Sequence, residues 1–209
     1  AAIAPRGREL ATAFARLQES QQNAAWGLAY AFKKGTAKPT TMDRWLGLAP
    51  ETLEAFWLDG TDRPRPGSAA PDPAIVRLAR VRAQADGGVT VLRPEPPGWR
   101  AGLEDAGPAV PADVLLHVAR RADGDLLIVR VKLEPVYGFW LAQQVEPLAL
   151  PADVVVRHLA AAEVRAAGPA LRAPDPLPDA PGPLAALAIA GARQWTFPVP
   201  TLFADQPPA

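Results

Sequence analysis

The chain has 209 residues, with 22 basic and 22 acidic side chains, a formal net charge of zero and no cysteine. This length is enough to bury a hydrophobic core without cross-links, and the absence of cysteine excludes disulfides, thiolate metal sites and cysteine nucleophiles. Balanced charge provides no general attraction to nucleic acid or to an anionic membrane, so any such binding must be local.

The sequence also bears on localisation. It contains no apolar run that approaches the roughly 20 residues needed to span a bilayer, and its first residues, AAIAPRG, show no charged and then apolar signal segment. We therefore expect a cytoplasmic protein with no membrane partner, from which an initiator methionine has been removed. A cleaved signal that ended in small residues is the alternative.

The first predicted element is a proline-free helical region from Arg6 to Phe32. Apolar residues recur at helical spacing on both sides of a polar stretch at Glu19 to Asn23, so the pattern predicts two helices. The second helix is predicted to end at Lys33-Lys34-Gly35, because cations suit the negative end of the helix dipole and glycine suits the position after the last turn.

Thr40 to Pro64 is the most strongly patterned stretch of the chain. Two segments with helical periodicity, which lie within Thr40 to Leu48 and Pro50 to Leu58, flank a tight turn at Leu46-Gly47-Leu48-Ala49-Pro50. The apolar residues of the second segment have i, i+3, i+4 spacing: Leu53, Phe56 and Trp57. The pattern therefore predicts a helix, a turn and a second helix.

The proline-rich segment Thr61 to Pro73 is typical of a linker. We accordingly predict a helical, helix-turn-helix-like domain over residues 1–66, a linker over 67–73 and an α+β domain over 74–209. The predicted fold class is α+β, in which the N-terminal helical domain precedes a mixed antiparallel β-rich domain with flanking helices.

Within the second domain, the clearest prediction is a strand pair joined by Asp123-Gly124, because Asp-Gly is a hairpin turn signal. The other elements follow from periodicity and from the positions of glycine and proline. In chain order the predictions are a helix at Ala74–Ala85, strands at Val89–Arg93, Asp113–Ala119, Leu126–Leu133, Val136–Val145 and Asp153–His158, helices at Leu159–Ala167 and Leu184–Arg193, and an edge strand at Gln194–Phe203.

No arrangement of residues in the sequence points to catalysis. The two histidines, His117 and His158, have no metal-ligand spacing with neighbouring carboxylates, and we expect them to be packed or surface residues. The acidic pairs Glu104-Asp105 and Asp123/Asp125 lie in predicted turns, where they serve solvation. We therefore predict a protein that is not an enzyme and needs no cofactor or metal.

Aromatic residues are concentrated in the first sixty positions, and most of them are expected to form a small core. A fraction could instead stack on the bases of a single strand, if they are exposed beside lysines. The aromatic residues concerned are Phe14, Trp26, Tyr30, Phe32, Trp45, Phe56 and Trp57.

Gly47 in the turn, Leu53 six positions later and Phe56 nine positions later, with Gly60 and Pro64 closing the segment, resemble the Cro/repressor-like (XRE-type) helix-turn-helix. The resemblance covers about residues 23–64. It implies that Pro50 to Leu58 is a recognition helix that enters the major groove. The residues that would contact DNA are Lys33, Lys34, Lys38, Arg44, Glu51, Thr52, Glu54, Arg63 and Arg65.

Two functions therefore remain open. The first is a DNA-binding regulator, whose C-terminal domain would serve dimerisation or effector sensing. The second is a protein-interaction module that does not bind DNA, because Glu51, Glu54 and Asp59 make the predicted recognition helix acidic and repel phosphates. In that case the helical unit presents an acidic and aromatic surface to a protein partner.

Overall fold

The structure is a computed structural model that describes residues 3–37, 53–83, 88–93, 110, 114–132, 136, 138, 140–148, 155–159, 184–190 and 195–200. Its combination of helices with antiparallel sheets confirms the predicted α+β class. The chain divides into two compact units. The first unit comprises Ala1–Glu19 and Glu134–Ala204, and the second comprises Ser20–Leu133 and Asp205–Ala209.

The described elements include helices, strands and two short irregular helices. The α-helices are α1 (Ile3–Lys33) and α2 (Pro73–Arg82). The strands are β1 (Leu53–Leu58), β2 (Thr90–Leu92), β3 (Val114–Arg120), β4 (Leu126–Lys132), β5 (Val155–Leu159), β6 (Leu184–Ala190) and β7 (Trp195–Pro200). A π-helical turn at Leu141–Val145 is followed by a 3-10 turn at Glu146–Leu148.

Helix α1 is continuous, so the prediction of two helices in this region is wrong. The stretch at residues 19–23 is polar but contains no helix breaker, and its glutamate and glutamines have good helix propensity. The helix ends where predicted. Gly35 has a φ of 73°, and its N–H donates to the Phe32 carbonyl at 2.9 Å. Glycine adopts this left-handed conformation without the strain that a Cβ would add.

In the first unit, β5, β6 and β7 form an antiparallel sheet in that order. This arrangement confirms the predicted strand at Asp153–His158 and the predicted edge strand at Gln194–Phe203. The helix predicted at Leu184–Arg193 is wrong, since β6 is the central strand. Its leucine and alanine residues suit a helix when isolated, but pairing with a strand on each side decides the conformation. All but the first residue of the predicted helix Leu159–Ala167 lies outside the described residues.

The strand predicted at Val136–Val145 is also wrong. The described residues of this segment are helical, and they end in the π-helical turn. Trp140 is fully buried, its ring lies 5.2 Å from that of Phe14, and its indole N–H donates to the Leu10 carbonyl at 3.2 Å. Trp140 therefore packs in an aromatic pair of the first unit, which a strand pattern does not reveal.

The second unit contains a four-stranded antiparallel sheet in the order β1-β4-β3-β2. The β3–β4 hairpin confirms the predicted strand pair. Its turn closes through a hydrogen bond from the Arg121 N–H to the Asp125 carbonyl at 2.9 Å, and Gly124 has a φ of 90°. The short strand β2 likewise confirms the strand predicted at Val89–Arg93.

Helix α2, predicted at Ala74–Ala85, packs on one face of this sheet. Asp72 caps the helix by accepting a hydrogen bond from the Ala74 N–H at 2.8 Å, and Pro73 occupies the first turn, where its missing N–H is harmless. The buried cluster formed by α2, the sheet and adjacent residues comprises Phe56, Leu58, Ile75, Val76, Leu78, Ala79, Ala83, Leu92, Val110, Leu116, Val118, Leu126 and Ile128.

The C-terminal half of α1 packs on the opposite face of the sheet. Phe32 meets the Trp57 ring edge-on at a centroid distance of 5.3 Å, and the Lys33 ammonium donates to the Arg120 carbonyl at 2.6 Å. Because both faces are covered, several strands are nearly continuous apolar runs with buried residues on each side.

The recognition helix predicted at Pro50–Leu58 is wrong, because residues 53–58 form β1 and pair with β4 along their whole length. Leu53 and Trp57 lie on the α1 side of this strand, and Phe56 and Leu58 lie on the α2 side. Burial on both sides produces an apolar run that also has helical spacing, so periodicity alone does not distinguish the two structures. The first predicted helix, Thr40–Leu48, lies outside the described residues.

The segment after β1 folds back onto that strand. The Arg65 N–H donates to the Trp57 carbonyl at 2.8 Å, the Trp57 N–H donates to the Ser68 hydroxyl at 2.8 Å, and Pro64 forms a bridge with Leu58. The predicted linker, residues 67–73, therefore lies within the second unit.

Candidate functional site

Two of the predicted DNA-contacting residues lie at the C-terminal end of α1. Lys33 is half-buried, and its ammonium is bound by the Arg120 carbonyl. Lys34 is exposed, and its ammonium lies over the Tyr30 ring, 5.6 Å from the ring centroid. Of the two, Lys34 is the cation that a binding partner can reach.

The other described members of the predicted set are spread along β1 and the loop that follows it. Glu54, near the start of the strand, accepts from Lys132 at 2.6 Å. Arg63 is exposed in the loop beyond the other end of the strand. Arg65 forms an ion pair with Asp125 at 2.7 Å. The remaining predicted residues, Lys38, Arg44, Glu51 and Thr52, lie outside the described residues.

Asp125 is the centre of a polar cluster beside the β3–β4 turn. Its carboxylate accepts from the Trp57 indole N–H at 2.9 Å and from the Arg65 guanidinium at 2.7 Å. Burial raises the pKa of Asp125, but the hydrogen bonds from Arg65 and Trp57 outweigh burial and hold the pKa below its usual value. This carboxylate therefore joins the loop after β1 to the sheet.

Arg80 of α2 fastens the same loop from the other side. Its guanidinium donates to the Asp62 carboxylate at 2.7 Å, to the Asp59 carbonyl at 2.7 Å and to the Gly124 carbonyl. Asp59 in turn accepts from the Thr61 hydroxyl at 2.8 Å, and this bond is the largest of those that lower the pKa of Asp59. All these groups are paired with one another, which indicates a structural role for the cluster.

We expect Asp125→Asn to lower the free energy of unfolding by about 1 to 2 kcal/mol. The amide that replaces the carboxylate has one oxygen, so its NH₂ group faces either the Arg65 guanidinium or the Trp57 indole N–H, and that donor loses its acceptor. Chemical denaturation measures the change. Asp123→Asn is the matched control, since Asp123 is exposed in the same turn and the amide keeps the oxygen that accepts from the Asp125 N–H at 3.0 Å. Equal losses in the two variants would contradict this account of the cluster.

The most unusual surface lies on the outer side of α1. Trp26 and Tyr30 are 46% and 43% exposed, and their rings stack with centroids 4.9 Å apart and planes 12° apart. The helix buries its opposite side, which includes Ala25, Leu28, Ala29 and Phe32. Among the residues whose burial the structure describes, these two rings are the exposed aromatic side chains.

We define Trp26, Tyr30 and Lys34 as the α1 aromatic surface. The three residues are spaced four apart, so each lies one helical turn from the next. Arg121, at the end of β3, reaches the same end of the helix: its guanidinium lies 5.4 Å from the Phe32 ring centroid, and Nη2 lies 3.7 Å from where a Cβ on Gly35 would stand. Two cationic groups therefore lie near the C-terminal end of α1: Lys34 on the Tyr30 ring, and Arg121 on the Phe32 ring.

His117 is the fully buried titratable group of β3, as expected for a packed residue. Among the described residues, neither ring nitrogen has a hydrogen-bond partner. Burial, and secondly the charge of Arg93, lowers the pKa of His117 to about 4. The ring is thus neutral at neutral pH, and its protonation opposes folding.

Two features are absent from the described part of the chain. None of its helices combines the length and apolar character of a membrane span. None of its groups of histidine, aspartate and glutamate is arranged to hold a metal ion.

Comparison of the chain with protein-family models, with curated proteins and with solved structures gives no significant match. Functional inference therefore depends on the residues and the geometry described above.

The sequence places Trp26 and Tyr30 among aromatic residues that mostly form a core, or that could stack on bases. The signal that distinguishes these roles is the phase of the helix. Ala25, Leu28 and Phe32 define a buried stripe with spacing of three and four, and this stripe places Trp26 and Tyr30 on the outer side. Arg121 could not be found in this way, because β3 reaches α1 only in the folded chain.

Proposed function

We propose that this chain is a protein-interaction module that binds a partner through the α1 aromatic surface. The observation that carries the proposal is the exposed stack of Trp26 and Tyr30 on a helix whose opposite side is buried. Tryptophan and tyrosine are the residue types most enriched among those that dominate binding energy at protein interfaces. A pair of them in contact on a surface marks the centre of such an interface.

The stack is ordered before a partner arrives. Trp26 contacts Tyr30 from the preceding turn of the helix, and Lys34 contacts it from the following turn. Ordering a flexible side chain on binding costs roughly 0.5 to 1.5 kcal/mol. Because these contacts already hold the rings, most of the entropy cost of ordering them falls on folding and not on binding. The partner therefore binds a surface that is already ordered.

A DNA-reading role has less support from the described residues. The described part of the supposed recognition helix is strand β1, which pairs with β4 along its whole length and cannot enter a groove as a helix would. Lys33 is bound by a carbonyl and Arg65 is neutralised by Asp125. Duplex binding depends on several lysines or arginines that contact phosphates, and these two are already engaged.

Stacking on single-stranded bases is also less favoured than a protein contact. A base needs a free aromatic face on which to stack. The contacts of Trp26 and Lys34 already occupy the Tyr30 ring, so a base could stack on Trp26 alone, whereas a partner also meets the edge and hydroxyl of Tyr30. Apolar and polar side chains of a protein can use both features at once.

A display experiment tests the proposal. A random peptide library is selected on the wild-type chain and on the variant Trp26→Ala/Tyr30→Ala, and the sequences enriched on each are compared. We expect peptides that are enriched on the wild type and absent from the variant selection. Enrichment of the same peptides on both proteins would contradict the proposal.

The matched control is Asn23→Ala, which changes an exposed residue one turn before Trp26 on the same side of α1. Alanine is the best helix former, so all three substitutions should leave α1 intact. Thermal unfolding of each variant checks this point. Peptide binding by Asn23→Ala should match that of the wild type.

A further inference from the structure

We infer that the partner segment is acidic, with a carboxylate that pairs with Lys34 and an apolar side chain that packs on Trp26. This inference depends on the proposed function, because it names the chemistry of the partner at the same surface. It follows from the charges of Lys34 and Arg121 near the C-terminal end of α1, and from the cost of burying such a charge when a partner excludes water.

Lys34 is the first of these charges. Among the described residues, its ammonium has no carboxylate partner, and its contact is with the Tyr30 ring. It is not needed to cap the helix, since backbone and side-chain donors of Thr36 already reach the Ala31 carbonyl at 3.0 Å. Lys34 is therefore available to an external anion.

Arg121 is the second charge. Its nearest described carboxylate oxygen belongs to Asp123 and lies 3.8 Å from Nε. The ion pairs made by Arg65, Arg80 and Lys132 are much closer, at 2.6 to 2.7 Å. A distance of 3.8 Å is beyond hydrogen-bonding range, so the Arg121 guanidinium keeps donors that a ligand can use.

A protein that covers Tyr30 must also cover the ammonium that lies on its ring. Removing an ammonium from water without an anionic partner is costly, and the cost is offset only when a carboxylate with good hydrogen bonds accompanies it. A neutral or basic partner would lose affinity at this point. An acidic partner would gain both the pair and faster association.

The same surface suits a carboxylate better than a nucleic-acid backbone. Lys34 and Arg121 are two cations at one end of a helix, whereas a nucleic-acid strand presents a phosphate at every nucleotide and is bound by a track of several cations. Two cations suffice for one or two carboxylates. The size of the charged region thus favours an acidic peptide.

The test titrates labelled peptides from the library selection against the full chain. Each peptide is compared with a counterpart in which every aspartate and glutamate is replaced by its amide. We expect the amide peptides to bind about tenfold more weakly, and Lys34→Glu to weaken binding of the acidic peptides about tenfold. Lys34→Arg, which retains the charge and the contact with the ring, should stay within about twofold of the wild type.

The outcomes separate this inference from the proposed function. Equal binding of acidic and amide peptides, lost in Trp26→Ala, would overturn the acidic partner and leave the interaction surface in place. Peptide selection that does not depend on Trp26 would overturn both. Tighter binding of an oligothymidylate than of any peptide would overturn the acidic segment and identify the partner as a single-stranded nucleic acid. Self-association that Trp26→Ala abolishes would overturn it and identify the partner as a second copy of the chain.

Discussion

The free energy of unfolding should fall by about 3 kcal/mol as the pH decreases from about 7 to about 4, because His117 must be neutral in the folded state. Its pKa is lowered from 6.5 to about 4 by burial and by Arg93. Between these two pH values, His117 therefore binds a proton in the unfolded chain but not in the folded chain. The contribution of neutral His117 to the free energy of unfolding is fully present above about pH 6.5, and it is lost progressively as the pH falls toward 4.

Urea denaturation at a series of pH values measures this effect. The carboxylates with lowered pKa values, Asp59 and Asp125, contribute stability that is lost only below about pH 4, so they do not explain a change at higher pH. His117→Leu should abolish most of the slope and be at least as stable as the wild type at neutral pH, since it removes buried polar atoms that have no partner.

The other histidine of the chain provides a control. His158→Gln should retain the slope between about pH 6.5 and 4 that His117 produces. Stability of the wild type that is constant over this range would contradict the account of His117. An unchanged slope in His117→Leu would contradict it equally.

Replacing Trp26 by alanine should weaken binding of the selected peptides by about 30-fold or more, which corresponds to the roughly 2 kcal/mol lost at interface positions that dominate affinity. Tyr30→Ala should produce a loss of similar order. Because the two rings are in contact, their effects should not be additive, and the double variant should lose less than the sum of the single losses. Fluorescence anisotropy of labelled peptides measures all three.

The control for these losses is stability. The stacked pair is half exposed. Apart from the modest contribution of the ring–ring contact, each single variant should therefore have a free energy of unfolding within about 0.5 kcal/mol of the wild type. A variant that loses binding together with several kcal/mol of stability would indicate a folding defect. Additive losses would contradict the view that the rings act as one unit.

The elements that the sequence predicted correctly are those whose local pattern agrees with their tertiary environment. The β3–β4 hairpin has two strands rich in valine, leucine and isoleucine, and a glycine where the turn requires positive φ. Helix α2 has a capping aspartate and a proline in its first turn. In these segments local chemistry and long-range packing favour the same structure.

The wrong predictions concern segments whose secondary structure is determined by pairing with residues distant in the sequence. The apolar spacing of Leu53, Phe56 and Trp57 suits a helix, but β4 supplies hydrogen-bond partners more than sixty positions away, and the segment becomes β1. The central strand β6 was misassigned for the same reason, because its conformation depends on two neighbouring strands. Sequence periodicity does not contain this information.

The candidate site was only partly predictable. The sequence indicates Lys34 as a DNA-contacting residue and Tyr30 as one of several aromatic residues that could be exposed beside lysines. The stack of Trp26 on Tyr30 follows from the helical phase once α1 is known to be a single helix. The approach of Arg121 depends on the packing of the sheet on α1 and has no signal in the local sequence.

The central claim, that the α1 aromatic surface is the binding surface, is tested most directly by the indole N–H resonances of the chain in a peptide titration followed by NMR. Trp57 and Trp140 provide internal references, since their indole N–H groups donate to Asp125 and to the Leu10 carbonyl. We predict that the Trp26 indole signal shifts on addition of the selected acidic peptide while those two signals do not. A shift confined to Trp57 or Trp140, with Trp26 unchanged, would contradict the claim.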